Sequence, residues 1–309
     1  MKEERKWNMI VKERTKPEEL VILQTLKARM ELEEKDAQNL RTLEKGYEGE
    51  VHFDHWFTNH IVESLIINDL LLEVNGTHFQ IDSLVITQDR LHLFEVKNLE
   101  GDYYLDGDKF KTVAGTEIKN PLHQLSRAES LLKQLLKNLG FYIPLEPHLV
   151  FINPEFALLQ TPLKSPIILP NQLNRFMDKM NRTTSKLTNK HTKLAEALLS
   201  LHIKKSPFSR VPGYDFDRLR KGVICEACGE FLESYSRNKF ICRQCESQEH
   251  IESVVIRAAK SFQLLFPERK VTTATLYEWI DARIPPKTIR RVLKSNFSAK
   301  GECSSTYYE

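Results

Sequence analysis

A chain of 309 residues with 41% hydrophobic side chains is long enough for two or three domains and more than one buried core. Its 45 Lys and Arg against 42 Asp and Glu exclude a uniformly basic or acidic polyelectrolyte, and no run approaches the roughly 18 apolar residues of a membrane span. The opening MKEERKWNMIVKER has no apolar leader core, so a cytoplasmic protein is expected, and in a reducing compartment its five cysteines do not read as a disulfide framework.

In chain order, Pro17 to about Lys45 carries Leu20, Leu23, Leu26, Met30 and Leu32 at helical spacing among many charges, which predicts an exposed helix or helical pair, an appendage. A second helix is expected from about Gly46 to Ile61, with Val51, Phe53, Trp56, Phe57 and Ile61 on its apolar side. Three strands follow, Leu65 to Val74, His78 to Thr87 and Leu91 to Lys97. The Asn75-Gly76 turn marks the first two as a hairpin, and an antiparallel arrangement is expected for all three. Asn120-Pro121 opens a helix through Leu139. His148 to Ile152 and Pro166 to Leu169 read as strands, and about Thr192 to His202 as a helix. This order predicts an α/β fold of the α+β kind, a mixed sheet flanked by helices. Lys204 to Gly222 has no clear period and reads as a linker. Helices are expected over about Ile251 to Phe266, Thr275 to Ala282 and Pro286 to Asn296.

The strands carry the first candidate chemistry. Gln80-Ile81-Asp82-Ser83 on one strand and Phe94-Glu95-Val96-Lys97-Asn98 on the next place an acid beside Glu-x-Lys. The period of two puts Glu95 and Lys97 on one face while Phe94 and Val96 enter the core. Two carboxylates and a main-chain carbonyl suit Mg²⁺ or Mn²⁺, which keeps waters and takes further oxygens from a phosphate, and a neighbouring Lys suits the developing charge. Glu50 in Gly46-Tyr47-Glu48-Gly49-Glu50 and Gln124 in Asn120-Pro121-Leu122-His123-Gln124 lie near the starts of the flanking helices. There they can complete a metal shell or orient water. His52, His55, His92 and His123 read as ordinary polar or half-buried side chains.

The strings GYEGE, QIDSLVI, FEVKN with Gly101, and NPLHQ, in that order over roughly residues 40 to 155, resemble the nuclease-related domain, NERD, found in many bacterial proteins. That family is similar to the PD-(D/E)XK nucleases. The resemblance implies a restriction-endonuclease-like fold and an active-site set of Glu50, Asp82, Glu95, Lys97 and Gln124, with Asp82 and Glu95 on the metal. Ser83 departs from the pattern, since the family often has His there.

Cys225-x2-Cys228 and, after thirteen residues, Cys242-x2-Cys245 have the spacing of two knuckles facing each other across a short ribbon. Four thiolates form a closed tetrahedral shell for structural Zn²⁺. Arg237, Lys239 and Arg243 lie in or beside the ribbon, and Cys303 is unpaired in sequence. From Lys204 onward, 19 basic side chains face 13 acidic ones. The sharpest basic stretch is Pro286 to Lys300, where Ile289, Val292 and Leu293 would turn inward. Lys287, Arg290, Arg291 and Lys294 would then point outward, as in a helix-turn-helix that meets nucleic acid, DNA in preference to RNA.

The expected organisation is a helical extension over 1–45, a nuclease-like domain over 46–203, a linker over 204–222, a zinc ribbon over 223–250 and a basic helical region over 251–309. The function expected is a metal-dependent nuclease targeted by its C-terminal region. The alternatives are a non-catalytic nucleic-acid-binding or regulatory protein that retains the nuclease fold, and a protein-interaction scaffold.

Overall fold

Apolar residues on both faces of successive strands call for cover on both sides, and that demand organises the first part of the chain. The structure is a computed structural model and describes residues 8–61, 63–182, 186–232, 234–236, 239–302 and 305–309. Arg237 and Cys303, singled out in the sequence, lie outside the described residues. Two compact units are present, Met1–Lys16 with Thr42–Phe208 and Pro17–Arg41 with Ser209–Glu309. Among the described residues no helix is long and apolar enough to cross a membrane.

The first unit is a six-stranded mixed sheet flanked by helices. Its strands are β1 (Asn8–Lys12), β2 (Ser64–Val74), β3 (Thr77–Ile86), β4 (Leu91–Lys97), β8 (Leu145–Phe151) and β10 (Ile167–Ile168), adjacent in that order. β2, β3 and β4 pair antiparallel, as their turns require, while β1, β8 and β10 join in parallel. Asn75 and Gly76, both with positive φ, close the β2–β3 hairpin. The alternation along β4 sorts two cores. Leu91 and Leu93 pack with Leu125, Ala128 and Leu132 of α3 (Pro121–Asn138). Phe94 and Val96 pack with Phe53 and Phe57 of α2 (Glu34–His60) on the other face. A smaller sheet runs in the order β7 (Glu117–Ile118), β6 (Lys109–Thr112), β5 (Gly101–Asp106) and β9 (Phe156–Leu159). α4 (Leu173–Asn181) adds Leu173 and Met177 to the α2 side, and α5 (Asn189–Ser200) adds Leu194 and Leu198 to the α3 side.

The second unit holds α1 (Glu18–Arg29) and a small sheet of β11 (Ser234–Ser236), β12 (Lys239–Ile241) and β13 (Gln248–His250). It continues with α6 (Ile251–Leu265), α7 (Thr273–Trp279), α8 (Pro286–Asn296) and the hairpin β14 (Ala299–Lys300) with β15 (Tyr307–Tyr308). Val271, between α6 and α7, bridges to Tyr308 and ties the hairpin to the helices. Trp279 is fully buried among Phe216, Phe262 and Phe266. The guanidinium of Arg29 lies 3.8 Å over its ring and donates to the carbonyls of Arg220 and Gly222.

Two expectations are corrected. α1 is no exposed appendage: Leu20, Leu23 and Leu26 are at most 1% exposed, because one apolar helical face is enough to enter a core. The helix expected to begin near Gly46 begins at Glu34 and runs unbroken through Gly46 and Gly49. Gly49 has a packing reason, since a Cβ there would stand 2.4 Å from Asn98 Cβ, just past the end of β4.

Candidate functional site

β3 and β4 pair only from Ser83↔Phe94 to Ile86↔Leu91, so beyond that point the two strands part. The ladder hydrogen bond that would come next is replaced by a side chain: the Val96 N–H donates to Asp82 Oδ2 at 2.8 Å. Glu95 and Lys97 remain bound on their other side to β8, at Leu149 and Phe151. The fork leaves both side chains on one face beside Asp82.

Lys97 Nζ donates to Glu95 Oε1 at 2.5 Å and to Gln124 Oε1 at 3.1 Å. Gln124 is held there by the start of α3, where Asn120 caps the helix by accepting from the Leu122 N–H and Pro121 occupies the first turn. Glu50 comes from α2. Four of the expected residues, Asp82, Glu95, Lys97 and Gln124, are thus linked in one patch of chain. Glu50 joins them electrostatically, its charge felt by Lys97 and that of Asp82 felt by Glu50.

The sequence reading missed Arg14. Its side chain is 3% exposed, and it donates to Glu50 Oε2 at 2.5 Å, to both carboxylate oxygens of Asp54 and to the main-chain carbonyl of Asp82 at 2.7 Å. One guanidinium therefore fixes the α2 acids against the forked end of β3. Asp54 was also missed, although it sits one helical turn after Glu50. Ser83, at the departure from the family pattern, is buried and donates to Asn68 Oδ1 at 2.8 Å, so it serves the sheet.

Charge in this patch is out of balance. Burial, reinforced by the charge of Asp82, pushes Glu95 up to about 8 against the opposing pull of Lys97. Burial and Asp82 push Glu50 up to about 8 against Arg14. Burial also raises Asp82 and Asp54. Lys97 is opposed by burial, yet Glu95 and Asp82 beside it hold it above the usual lysine range, so it stays charged. The buried Asp82 and Glu95 and the half-buried Glu50 and Asp54, which repel one another, gather hard oxygen atoms of the kind a small divalent cation prefers.

The four cysteines form a second centre. Cys225 Sγ lies 3.7 Å from Cys245 Sγ and Cys228 Sγ 3.5 Å from Cys242 Sγ, with all four within 4.8 Å of one another. A tetrahedral zinc with bonds of about 2.3 Å needs sulfurs about 3.8 Å apart, so the cluster can bind Zn²⁺. The two knuckles share one backbone design. In each, the residue four places after the first cysteine, Gly229 or Glu246, donates its N–H to that cysteine's carbonyl and has positive φ.

On α8, Ile289, Val292 and Leu293 are buried while Lys287, Arg290, Arg291 and Lys294 are exposed, the division expected from their spacing. His52 and His55 are exposed, and His123 pairs with Asp108 at the surface. His92 differs from expectation, being buried against His148 with Nδ1 3.0 Å from His148 Nε2. Burial pushes His92 down to about 4 and His148 to about 3.

No curated protein and no solved structure matches the chain. The family model of NERD, the nuclease-related domain, matches residues 45–152, about a third of the chain and the stretch that contains Glu50, Asp82, Glu95, Lys97 and Gln124.

Proposed function

We propose that the first unit is a phosphodiester hydrolase acting on nucleic acid, DNA in preference to RNA, with Mg²⁺ or Mn²⁺ held by Asp82 and Glu95 and supported by Glu50. One observation carries the reading: at the fork of β3 and β4 the four carboxylates of Glu50, Asp54, Asp82 and Glu95 gather around the two cations Arg14 and Lys97, and Lys97 keeps its charge. When bound, the cation supplies Lewis acidity and an acidic water.

The chain's own groups do the rest. Asp82 is aimed by the Val96 N–H, which removes the freedom a lone carboxylate would have. Lys97, held by Glu95 and Gln124, presents its charge where negative charge develops on the phosphate oxygens. Gln124 offers its amide N–H to water or to a phosphate oxygen, since its carbonyl oxygen is taken by Lys97. Arg14 keeps Glu50 and the Asp82 carbonyl in place. The zinc ribbon stabilises a segment too small for a core of its own, and the basic face of α8 holds the substrate backbone.

The basic face of α8 also favours a second reading, nucleic-acid binding without cleavage. Incubation with labelled single- and double-stranded DNA and RNA, in Mg²⁺, Mn²⁺ or chelator, separates the two. Cleavage that requires the cation supports the hydrolase, and retained binding with every substrate intact supports the second reading.

A further inference from the structure

The face of the sheet opposite Glu95 and Lys97 carries another group of ligand-bearing side chains. His92 precedes Phe94 by one period of β4, and in the parallel β4–β8 register His92 faces Glu146 while Phe94 faces His148. The two imidazoles are 6% and 4% exposed and belong to the aromatic layer, with Phe94 4.8 Å from His148 and Phe176 4.9 Å from it. His92 Nδ1 stands 3.0 Å from His148 Nε2 and 3.9 Å from Glu146 Oε2, and one ligand atom from each of the three residues lies within 4.8 Å of the other two. Arg90 donates to Glu146 Oε2 at 2.8 Å and so orients the carboxylate. A cavity of about 680 Å³, lined by Glu146, His148, Ser165, Gln172, Arg175 and Lys179 among others, opens onto the group.

A hydrogen-bonded histidine pair would account for the two facing nitrogens alone. It gives no reason for a carboxylate at the same point or for an open path to it. We propose that His92, His148 and Glu146 bind a divalent d-block cation such as Zn²⁺, Ni²⁺ or Co²⁺, with the remaining coordination positions turned into the cavity. Imidazole nitrogen and one carboxylate are the donors such ions prefer, whereas Mg²⁺ selects oxygen-only sites like that of Asp82 and Glu95. Bonds of about 2.0–2.2 Å ask the two nitrogens to open by a few tenths of an ångström. The proton they share moves to the far nitrogen of its own ring, so both imidazoles stay neutral. Arg90 then plays the part of an outer partner that fixes a ligating carboxylate.

The test uses the full chain with its cysteine site loaded with zinc, titrated with Co²⁺ and followed by metal stoichiometry and visible absorption. Besides any oxygen-ligated cobalt at Asp82 and Glu95, the wild type is expected to take one further equivalent with the d–d bands of nitrogen and oxygen ligands and no sulfur charge transfer. That equivalent should persist in Asp82→Asn, disappear in His148→Gln and bind at least about tenfold more weakly in Glu146→Gln. Circular dichroism checks folding, and if His148→Gln unfolds, Glu146→Gln decides. The proposal is overturned if no further equivalent binds, if it survives His148→Gln, if a folded Glu146→Gln binds it as tightly as wild type, or if Asp82→Asn removes it.

Discussion

Arg14 ties the acidic patch together. It is a buried cation with two carboxylate partners and a main-chain carbonyl, so removing it leaves the half-buried Glu50 and Asp54 without their counter-ion. Losing one partner of such a group costs about 3–5 kcal/mol, and Arg14→Met is expected to lower unfolding stability by that amount in a denaturant titration. A loss under about 1 kcal/mol would mean the ion pairs are ordinary surface contacts. His92 and His148 make a second prediction at this scale. Both have folded values depressed well below the ordinary value of 6.5 by burial, so the unfolded chain binds more protons between about pH 6.5 and 4. Stability is therefore full above that window and falls as the pH drops through it, by at least about 1 kcal/mol per ring. Thermal unfolding from pH 7 to 5 reads this loss, and a His92→Gln, His148→Gln double variant should show a flatter profile.

Among the elements, those with a strong period were legible and those held by neighbours were not. β2, β3, β4, α3, α6 and α8 lie close to where alternation, the Asn75-Gly76 turn, Asn120-Pro121 and Pro286 place them. β1 escaped because Asn8–Lys12 is only five residues beside a charged stretch, and it exists through parallel pairing with β2. With it went Arg14, whose role depends on a partner 68 residues away. β5, β6, β7 and β9 are too short to show a period in sequence, and they support each other as a sheet. Asp82, Glu95, Lys97 and Gln124 were legible because their spacing is local to strands and a cap. The tie between His92 and His148 was not, because it rests on the parallel register of β4 and β8. The packing of α2 on the end of β4 is equally non-local, and Gly49 tests it. Alanine gains about 1 kcal/mol of helix propensity there, yet a methyl 2.4 Å from Asn98 Cβ brings an overpacking cost of roughly 1–3 kcal/mol. Gly49→Ala should lower the melting temperature, and a rise would show that the chain after Lys97 yields freely.

At the scale of the whole molecule, charge is distributed unevenly. The net charge is only +3, while α8 gathers Lys287, Arg290, Arg291 and Lys294 on one exposed face. If these side chains neutralise phosphates, replacing all four with Ala should weaken binding of duplex DNA and flatten its dependence on salt, by roughly 0.9 in log–log slope for each phosphate no longer neutralised. An unchanged slope would place the nucleic-acid interface elsewhere. The central question is whether the acids at the β3–β4 fork, with Lys97, hydrolyse a phosphodiester bond. Single-turnover cleavage in saturating Mg²⁺ by wild type and Lys97→Ala, each confirmed folded, measures this most directly. A loss of at least about a hundredfold is expected in the variant, with none of the wild-type activity left in chelator. Equal rates in the two proteins, or cleavage that persists without the cation, would contradict it.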